Sequence, residues 1–217
     1  MGRKINLLSS LPVAKRRIDD RAEKKSLECI TEAKKFAELY WDGPREYGYG
    51  GYSYDGRWQS VAKDIVDCYS LNKRARVLDV GCGKGFLVKD LLDVGIDAYG
   101  VDVSEYALIN CHDDVVGRLS SGCASRLMFP DDSFDLVISL NTIHNLPRER
   151  AIMALREIER VSRSNCFVQV DSYLTQEQKD LFEKWVLTAE YHDFPDGWLE
   201  TFELAGYCGD YDWTIIE

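Results

Sequence analysis

The sequence predicts an α/β protein in which a mostly parallel sheet carries helices on both faces and an N-terminal helical cap precedes it. Two observations predict this class. Short apolar strands alternate with helical segments from residue 76 onward, and a glycine-rich turn joins the first of these strands to the next helix. Strands separated by helices are joined by crossovers, so they run parallel. The 217 residues suffice for one compact domain with a full core.

The cap is predicted over residues 1–70 and the core over residues 71–217. Within the cap, residues 1–25 are expected to form a loose lead-in. Apolar spacing predicts helices over 26–41 and 58–69, and the tyrosine- and glycine-rich loop 45–58 is the expected lid over the site. The core elements are predicted, in order, as strand 76–80, helix 85–94, strand 97–102, helix 105–119, strand 134–140, helix 147–162, strand 165–171, helix 175–186, a possible strand at 187–191, helix 197–204 and a final strand at 211–216.

The turn after the first strand reads Asp79-Val80-Gly81-Cys82-Gly83-Lys84-Gly85. Its glycines permit positive φ and let a ligand approach the backbone. The spacing G-x-G-x-G differs from the dinucleotide pattern G-x-G-x-x-G, and Asp79 would repel a phosphate while attracting a cation. The turn resembles the first motif of the class I S-adenosylmethionine-dependent methyltransferases, D/E-x-G-x-G-x-G, at every fixed position.

The resemblance covers roughly residues 74–171. It includes a second motif, since the stretch that leads into the strand at 134–140 is similar to the family's L-P-F-P-D-x-S-F-D-x-V. It implies a Rossmann-like seven-stranded sheet whose last strand is antiparallel, with S-adenosylmethionine as cofactor and S-adenosylhomocysteine as product. It also implies that Asp102 binds the ribose hydroxyls. The predicted cofactor-binding residues are Asp79, Gly81, Cys82, Gly83, Gly85, Asp102, Val103, Cys123, Ala124 and Asn141, and Arg57 is a further candidate because of its charge.

Two of these assignments leave alternatives open. The family has a G-D-A segment whose acid meets the adenine amino group, but this chain has Cys123 in place of the acid. Cys123 packing on the adenine face, Ser125 or a backbone carbonyl could replace that contact. Arg57 could bind the carboxylate of the donor through its fork or pair with an acid such as Asp55 or Asp64.

Candidates for catalysis and acceptor binding follow the later strands. His144, just past the strand that ends at residue 140, and His192, in an acidic stretch, are candidate general bases because histidine titrates near neutral pH. A scaffold role in the donor pocket is the alternative for His144. The predicted substrate-binding residues are Tyr47, Tyr49, Trp58 and Asp171, and the alternative roles are core packing for the aromatics and a strand-end cap for Asp171.

Composition excludes several classes of partner. The net charge is −10, and residues 1–25 carry eight basic against three acidic side chains, so the rest of the chain is strongly acidic and unsuited to nucleic acid. Asn141 is followed by no proline pair, unlike the family's enzymes that methylate nucleic-acid amino groups. No apolar run approaches the ~20 residues of a membrane span. Seven cysteines without a C-x-x-C pair predict no metal site and no disulfide framework, as expected for a cytoplasmic enzyme.

The predicted function is methyl transfer from S-adenosylmethionine to an oxygen or nitrogen atom of a small-molecule acceptor, by a monomer or homodimer. The cap and the closing segment 206–213 are faintly similar to methyltransferases of sugar and surface-polysaccharide pathways. The alternatives are a catalytically silent methyltransferase-like subunit that binds a protein partner, a nucleotide-sugar or dinucleotide enzyme on the same fold, and methylation of a protein.

Overall fold

A computed structural model describes residues 2–12 and 18–216. The strands in the described residues are β1 (Arg76–Val80), β2 (Asp97–Asp102), β3 (Leu119–Ser121), β4 (Phe134–Leu140), β5 (Ser162–Ser172) and β6 (Asp210–Ile215). The helices are α1 (Ile18–Lys24), α2 (Leu27–Ala33), α3 (Glu38–Trp41), α4 (Gln59–Cys68), α5 (Phe86–Asp93), α6 (Glu105–Ile109), α7 (Arg148–Val161), α8 (Gln176–Trp185) and α9 (Pro195–Ala205).

The described strands form one sheet in the order β3-β2-β1-β4-β5-β6, with every neighbouring pair parallel. The predicted fold class is therefore confirmed. The strand order reverses between β1 and β4, and ligands of open α/β sheets bind in the crevice at the carboxyl ends of strands at such a point. The topology alone therefore places the functional site beyond the end of β1.

The prediction of seven strands with an antiparallel last strand was wrong. The described residues contain six strands, and β6 pairs parallel with β5 because α8 and α9 return the chain to the starting end of the sheet. Residues 187–191 are irregular rather than extended, and the N–H groups of Glu190 and Tyr191 donate to the carbonyl of His144 instead of to a strand. The helix predicted over 105–119 ends at Ile109, so that β3 can form.

The cap also differs from its prediction. The helix expected over 26–41 is two short helices, α2 and α3, because Phe36 adopts a left-handed conformation with φ of 49° between them. The lead-in expected over 1–25 is ordered in its described parts, where it contains α1 and a parallel bridge to β6. Residues 13–17 of that lead-in lie outside the described residues. The division into a cap and a core stays a prediction.

The start of the chain covers the outer edge of β6. Ile5 N donates to the carbonyl of Tyr211 at 3.0 Å, Tyr211 N donates to the carbonyl of Arg3 at 3.0 Å, and the Arg3 guanidinium pairs with Asp210 at 2.8 Å. Leu7, two residues further on, is 4% exposed and packs in the main core. An edge that would otherwise present unpaired N–H and C=O groups is thereby paired.

The two faces of the sheet are covered by different helices. On one face α7 and α9 pack, and Trp198 and Phe202 of α9 are fully buried. On the other face α4 and α5 pack together with Leu7. Within the described part of the chain, no helix is long and apolar enough to cross a membrane.

Leu7→Ala tests whether the first residues belong to the fold. We expect it to lower the free energy of unfolding by about 2–4 kcal/mol, because it removes a buried side chain and leaves a cavity. Leu27→Ala is the matched control: Leu27 is 83% exposed, so a change within about 0.5 kcal/mol is expected. Urea unfolding of the two variants measures both values. Equal small effects would show that residues 3–8 do not pack on the sheet.

Candidate functional site

The glycine turn at the end of β1 is packed against two other parts of the chain. A Cβ on Gly81 (φ 86°) would lie 2.0 Å from Oγ1 of Thr142, just after β4. A Cβ on Gly83 (φ 54°) would lie 2.8 Å from the ring of Trp41 in the cap. Both positions require glycine for its positive φ and for lack of space. Protein side chains therefore contact the backbone of the glycine turn, and that backbone is also open to a ligand.

Asp102, the last residue of β2, connects two turns. Its Oδ2 accepts a hydrogen bond from Gly83 N at 2.7 Å, and its Oδ1 accepts one from Ser104 N at 2.8 Å. Burial raises the pKa of this carboxyl, while the N–H groups of Ser104 and Gly83 oppose the rise. An ionised carboxylate has about four acceptor positions, so Asp102 can still accept bonds from ligand hydroxyls.

Asp79 lies beneath the turn and is 5% exposed. Burial, together with the nearby charge of Asp102, raises the pKa of Asp79 to about 7. Two carboxylates therefore lie at the carboxyl ends of neighbouring strands, and each one makes ionisation of the other less favourable. A positively charged ligand group at this point would relieve that repulsion.

Aromatic rings from the cap form a wall over the turn. The rings of Trp41 and Tyr49 stack with centroids 5.3 Å apart and planes 7° from parallel, and Tyr52 contacts both. Trp41 Nε1 donates to Oγ of Ser104 at 2.8 Å, which ties the wall to the turn after β2. Tyr52 also stacks on Phe86 at the start of α5, with centroids 4.8 Å apart.

Asp42 anchors this wall to the glycine turn. Its two carboxylate oxygens each lie 2.7 Å from Nζ of Lys84, a residue of the turn that is 7% exposed. Oη of Tyr106 donates to the same carboxylate at 2.9 Å, and Tyr52 N donates at 3.1 Å. Burial alone would raise the pKa of Asp42, but the bonds from Lys84, Tyr52 and Tyr106 outweigh it and the pKa is lowered. The Asp42 carboxylate therefore joins the cap to the core.

The wall and the strand ends enclose a partly open cleft, lined by side chains of the cap and by residues at the carboxyl ends of the strands. Of the sequence-predicted site residues, the structure brings to this cleft Gly81, Asp102, Val103, Cys123, Ala124, Asn141 and Tyr49. Asp79, Cys82, Gly83 and Gly85 belong to the strand and turn beneath it. Lining residues that the sequence did not single out include Phe36, Tyr40, Trp41, Thr142, Asn145 and Leu146.

Asn141 is held by residues of β5 and β6. It adopts a left-handed conformation with φ of 52°, and its N–H donates to the carbonyl of Gln169 at 2.8 Å. Its Oδ1 accepts a bond from Thr214 Oγ1 at 2.7 Å, and Thr214 in turn accepts one from Gln169 Nε2 at 2.8 Å. Non-glycine residues in this conformation are uncommon and cluster at functional sites.

His144 is buried and bound by Asp171 at both ring nitrogens. Asp171 N donates to Nδ1 at 3.1 Å, and Nε2 lies 3.3 Å from the Asp171 carboxylate. Burial lowers the pKa of His144, with Asp171 opposing the shift, so the ring is neutral and carries its proton on Nε2. The ring thus holds the turn after β4 against the end of β5. His144 and Asp171 lie together, as expected from their positions at the ends of two neighbouring strands. Their polar groups, however, are engaged with each other.

His192 lies in a separate cluster under α8. Its Nδ1 is 3.2 Å from Oη of Tyr173, and its ring packs against Phe182 with centroids 4.9 Å apart. Burial lowers the pKa of His192. This histidine is half-buried, and it lies close enough to Asp171 for the charge of that carboxylate to oppose the effect of burial.

The remaining predicted residues lie around the cap. Tyr47 packs against a small hydrophobic cluster formed by Cys29, Ala33 and Leu187. Trp58 precedes α4 and packs against the core. Arg57 forms an ion pair with Asp55 at 2.6 Å, which is one of the partners that the sequence left open.

Taken together, the cleft offers the Asp102 carboxylate for ligand hydroxyls and aromatic faces that attract cations by about 0.5–2 kcal/mol, and the buried Asp79 lies beneath it. These groups favour a positively charged ligand group and disfavour a pyrophosphate, which would be repelled by two acids.

The chain is similar in sequence to known methyltransferases. Residues 78–169 match the family model described as a methyltransferase domain. The 2-methyl-6-phytyl-1,4-hydroquinone methyltransferase of Synechocystis is 25% identical over 80% of this chain and 65% of its own length. YcgJ, an uncharacterised methyltransferase of Bacillus subtilis, is 32% identical over 47% of this chain and 42% of its own. The chain spans less than two thirds of each of these relatives.

A crystal structure of an S-adenosylmethionine-dependent methyltransferase from Archaeoglobus fulgidus superimposes with a TM-score of 0.55. The two chains are 21% identical, and the superposition covers 68% of each. At this identity the likeness concerns the fold.

Asp79→Asn is expected to change how stability depends on pH. The folded-state pKa of about 7 lies above the unfolded value near 3.9, so the stabilising contribution of Asp79 is complete below about pH 4 and is lost as pH rises through about 7. The variant should match the wild type below about pH 4 and exceed its free energy of unfolding by on the order of 2–4 kcal/mol at pH 8. Urea unfolding at four pH values measures this. Parallel pH profiles would contradict the raised pKa.

Asp42→Asn is expected to loosen the cap. The change leaves the buried ammonium of Lys84 without its counter-charge, which costs about 1–3 kcal/mol locally. Backbone amides of residues 38–52 should exchange hydrogen roughly tenfold faster or more, as followed by mass spectrometry. Asp55→Asn, which breaks the exposed pair with Arg57, is the control and should leave these rates unchanged. Equal rates in Asp42→Asn and the wild type would show that the carboxylate does not hold the cap.

Proposed function

We propose that this chain, a member of the class I S-adenosylmethionine-dependent methyltransferase family, transfers a methyl group to an oxygen or nitrogen atom of a small-molecule acceptor. The observation that carries the proposal is the placement of Asp102. Its carboxylate ends β2, lines the cleft and binds the glycine turn, which is where a ribose-binding acid has to be.

The residues of the cleft fit S-adenosylmethionine. Asp102 keeps acceptor positions for two ribose hydroxyls. Asp79 and the faces of Trp41, Tyr49 and Tyr52 suit a cation and disfavour a pyrophosphate. When bound, the cofactor supplies an electrophilic methyl group on a sulfonium sulfur.

The chain's own contribution to such a reaction is position and exclusion of water. Holding two reactants in line can lower the barrier by roughly 7–11 kcal/mol. The aromatic wall, anchored through Asp42 to Lys84, covers the turn and keeps water away from the cationic donor. Asn141, held in place by Thr214, presents its carboxamide at the edge of the cleft where β4 ends.

The class of acceptor and the identity of the general base are also proposed. His144 is proposed as a positioning residue, because Asp171 engages both of its ring nitrogens. His192, beside Tyr173, remains the candidate general base for a hydroxyl acceptor, whereas an amine attacks in its neutral form without one. The name of the Synechocystis relative gives a hydroquinone as its substrate, which supports a small-molecule acceptor. A sugar or polysaccharide acceptor rests on sequence similarity alone.

The cellular setting is likewise proposed. All seven cysteines are free thiols, as expected in a reducing compartment, so we propose a cytoplasmic enzyme. We propose that it acts as a monomer or homodimer without nucleic acid, in line with its net charge of −10.

The direct experiment is calorimetric titration with S-adenosylhomocysteine, with NAD as the control ligand. Micromolar binding of S-adenosylhomocysteine alone is the expected result. It would justify a screen with methyl-labelled cofactor against phenols, hydroxylated metabolites, amines and nucleotide sugars. A folded protein that binds neither ligand would contradict the proposal in favour of a silent subunit that binds a protein partner.

Asp102→Ala should weaken S-adenosylhomocysteine binding by about 1–3 kcal/mol, because ribose hydroxyls lose a charged acceptor. Asp97→Ala is the matched control. Asp97 begins the same strand and pairs with Arg118 far from the cleft, so its affinity should equal that of the wild type. Circular dichroism establishes that both variants fold. Unchanged affinity in folded Asp102→Ala would contradict the ribose assignment.

A further inference from the structure

One hydrogen-bond acceptor in the cleft has no partner. Oδ1 of Asn145 is shielded from solvent and accepts no hydrogen bond from any residue that the structure describes. Asn145 lines the cleft together with Cys123 and Ala124. Buried polar atoms are nearly always paired in native proteins, so an unpaired one on the wall of a binding site indicates a missing ligand or water.

The local fold does not require this carboxamide. Asn145 ends the 3₁₀ turn Ile143–Asn145, and the backbone closes that turn by itself. Asn145 N donates to the carbonyl of Thr142 at 3.0 Å, and Leu146 N donates to the carbonyl of Ile143 at 3.1 Å. The side chain is therefore available for a ligand.

The same cleft lacks the acceptor that the resemblance led us to expect. Cys123 replaces the acid of the family's G-D-A segment, and its Sγ lies 3.1 Å from Oγ of Ser125, so these two side chains partner each other. A thiol is a weak acceptor in any case. The adenine amino group would thus find no strong acceptor at position 123.

We propose that Asn145 supplies it: Oδ1 of Asn145 accepts the hydrogen bond of the adenine 6-amino group in place of the absent acid. This rests on the proposed function, since it assumes that an adenosyl group enters the cleft. Leu146 and Val103, which line the cleft too, offer apolar surface to a flat ring. Specificity follows from this orientation of the carboxamide, because with Oδ1 facing the ligand a 6-oxo purine would place one acceptor against another and leave both unpaired.

The test compares two ligands: S-adenosylhomocysteine and S-inosylhomocysteine, in which a 6-oxo group replaces the 6-amino group. Calorimetry on the wild type should show about tenfold or greater preference for the adenosyl ligand, the effect of one hydrogen bond. Asn145→Ala should lose that preference, with the adenosyl ligand weakened about tenfold and the inosyl ligand little changed. Asn145→Asp keeps an acceptor and should retain the preference.

Two further variants make the test specific. Asn141→Ala removes a carboxamide from the same cleft, but one whose Oδ1 already binds Thr214, so the preference between the two ligands should persist. Cys123→Asp in the Asn145→Ala background restores an acid to the G-D-A position and should recover the preference.

The outcomes separate this inference from the proposed function. If the wild type binds neither ligand, the proposed function fails and the inference fails with it. If the wild type binds S-adenosylhomocysteine but shows no preference, or Asn145→Ala keeps the preference, the inference alone is overturned. A preference for the inosyl ligand would show that Asn145 presents its amino group instead, and would overturn it as well.

Discussion

The site depends on the absence of side chains at two positions of one turn. Thr142 and Trp41 reach the turn only because Gly81 and Gly83 have no Cβ. Thr142 belongs to the segment after β4 and Trp41 belongs to the cap, so the two glycines set how closely three parts of the chain can approach. Any larger residue would separate them, and the cleft would lose its shape. The G-x-G-x-G pattern is therefore a packing requirement as well as a means of ligand access.

Around that turn, two cations of the described residues are already paired with acids, whereas two other acids have no cationic partner. Lys84 is paired with Asp42, and Arg57 is paired with Asp55. Asp79 and Asp102 have no such partner among the described residues and depend on backbone N–H groups or on protonation. Such an arrangement is unfavourable for the unliganded protein. It becomes favourable when a cation enters. Binding sites commonly lower the stability of the free protein in this way in exchange for function.

Much of this could be predicted from the sequence. The motif at Asp79 to Gly85 predicted a methyltransferase, and residues 78–169 match a model of methyltransferase domains. Strand–helix alternation predicted the parallel sheet. What failed was set by long-range contacts. Residues 187–191 have the composition of a strand, but their N–H groups bind the carbonyl of His144. The parallel direction of β6 depends on how α8 and α9 pack, and local sequence does not encode it.

The residues of the site also divide into those that the sequence could place and those that only the folded structure reveals. Residues at strand ends, such as Asp102 and Asn141, could be placed because topology brings strand ends together. Asn145 could not be singled out, because only the packed structure shows that its Oδ1 has no partner. A sequence signal did exist, since Cys123 interrupts the G-D-A segment and so indicates that another acceptor is needed. The pairing of Arg57 with Asp55, only two residues away, was among the alternatives because such short-range contacts are visible in the sequence.

The pairing of residues 3–5 with β6 also has a consequence for biosynthesis. Arg3 and Asp210 are 207 positions apart, so residues 3–5 have no partner on β6 until the ribosome has made that distant strand. Contacts of this separation form late and slow the search for the native topology. Until then the apolar side chains of Ile5 and Leu7 are available to chaperones or to other nascent chains.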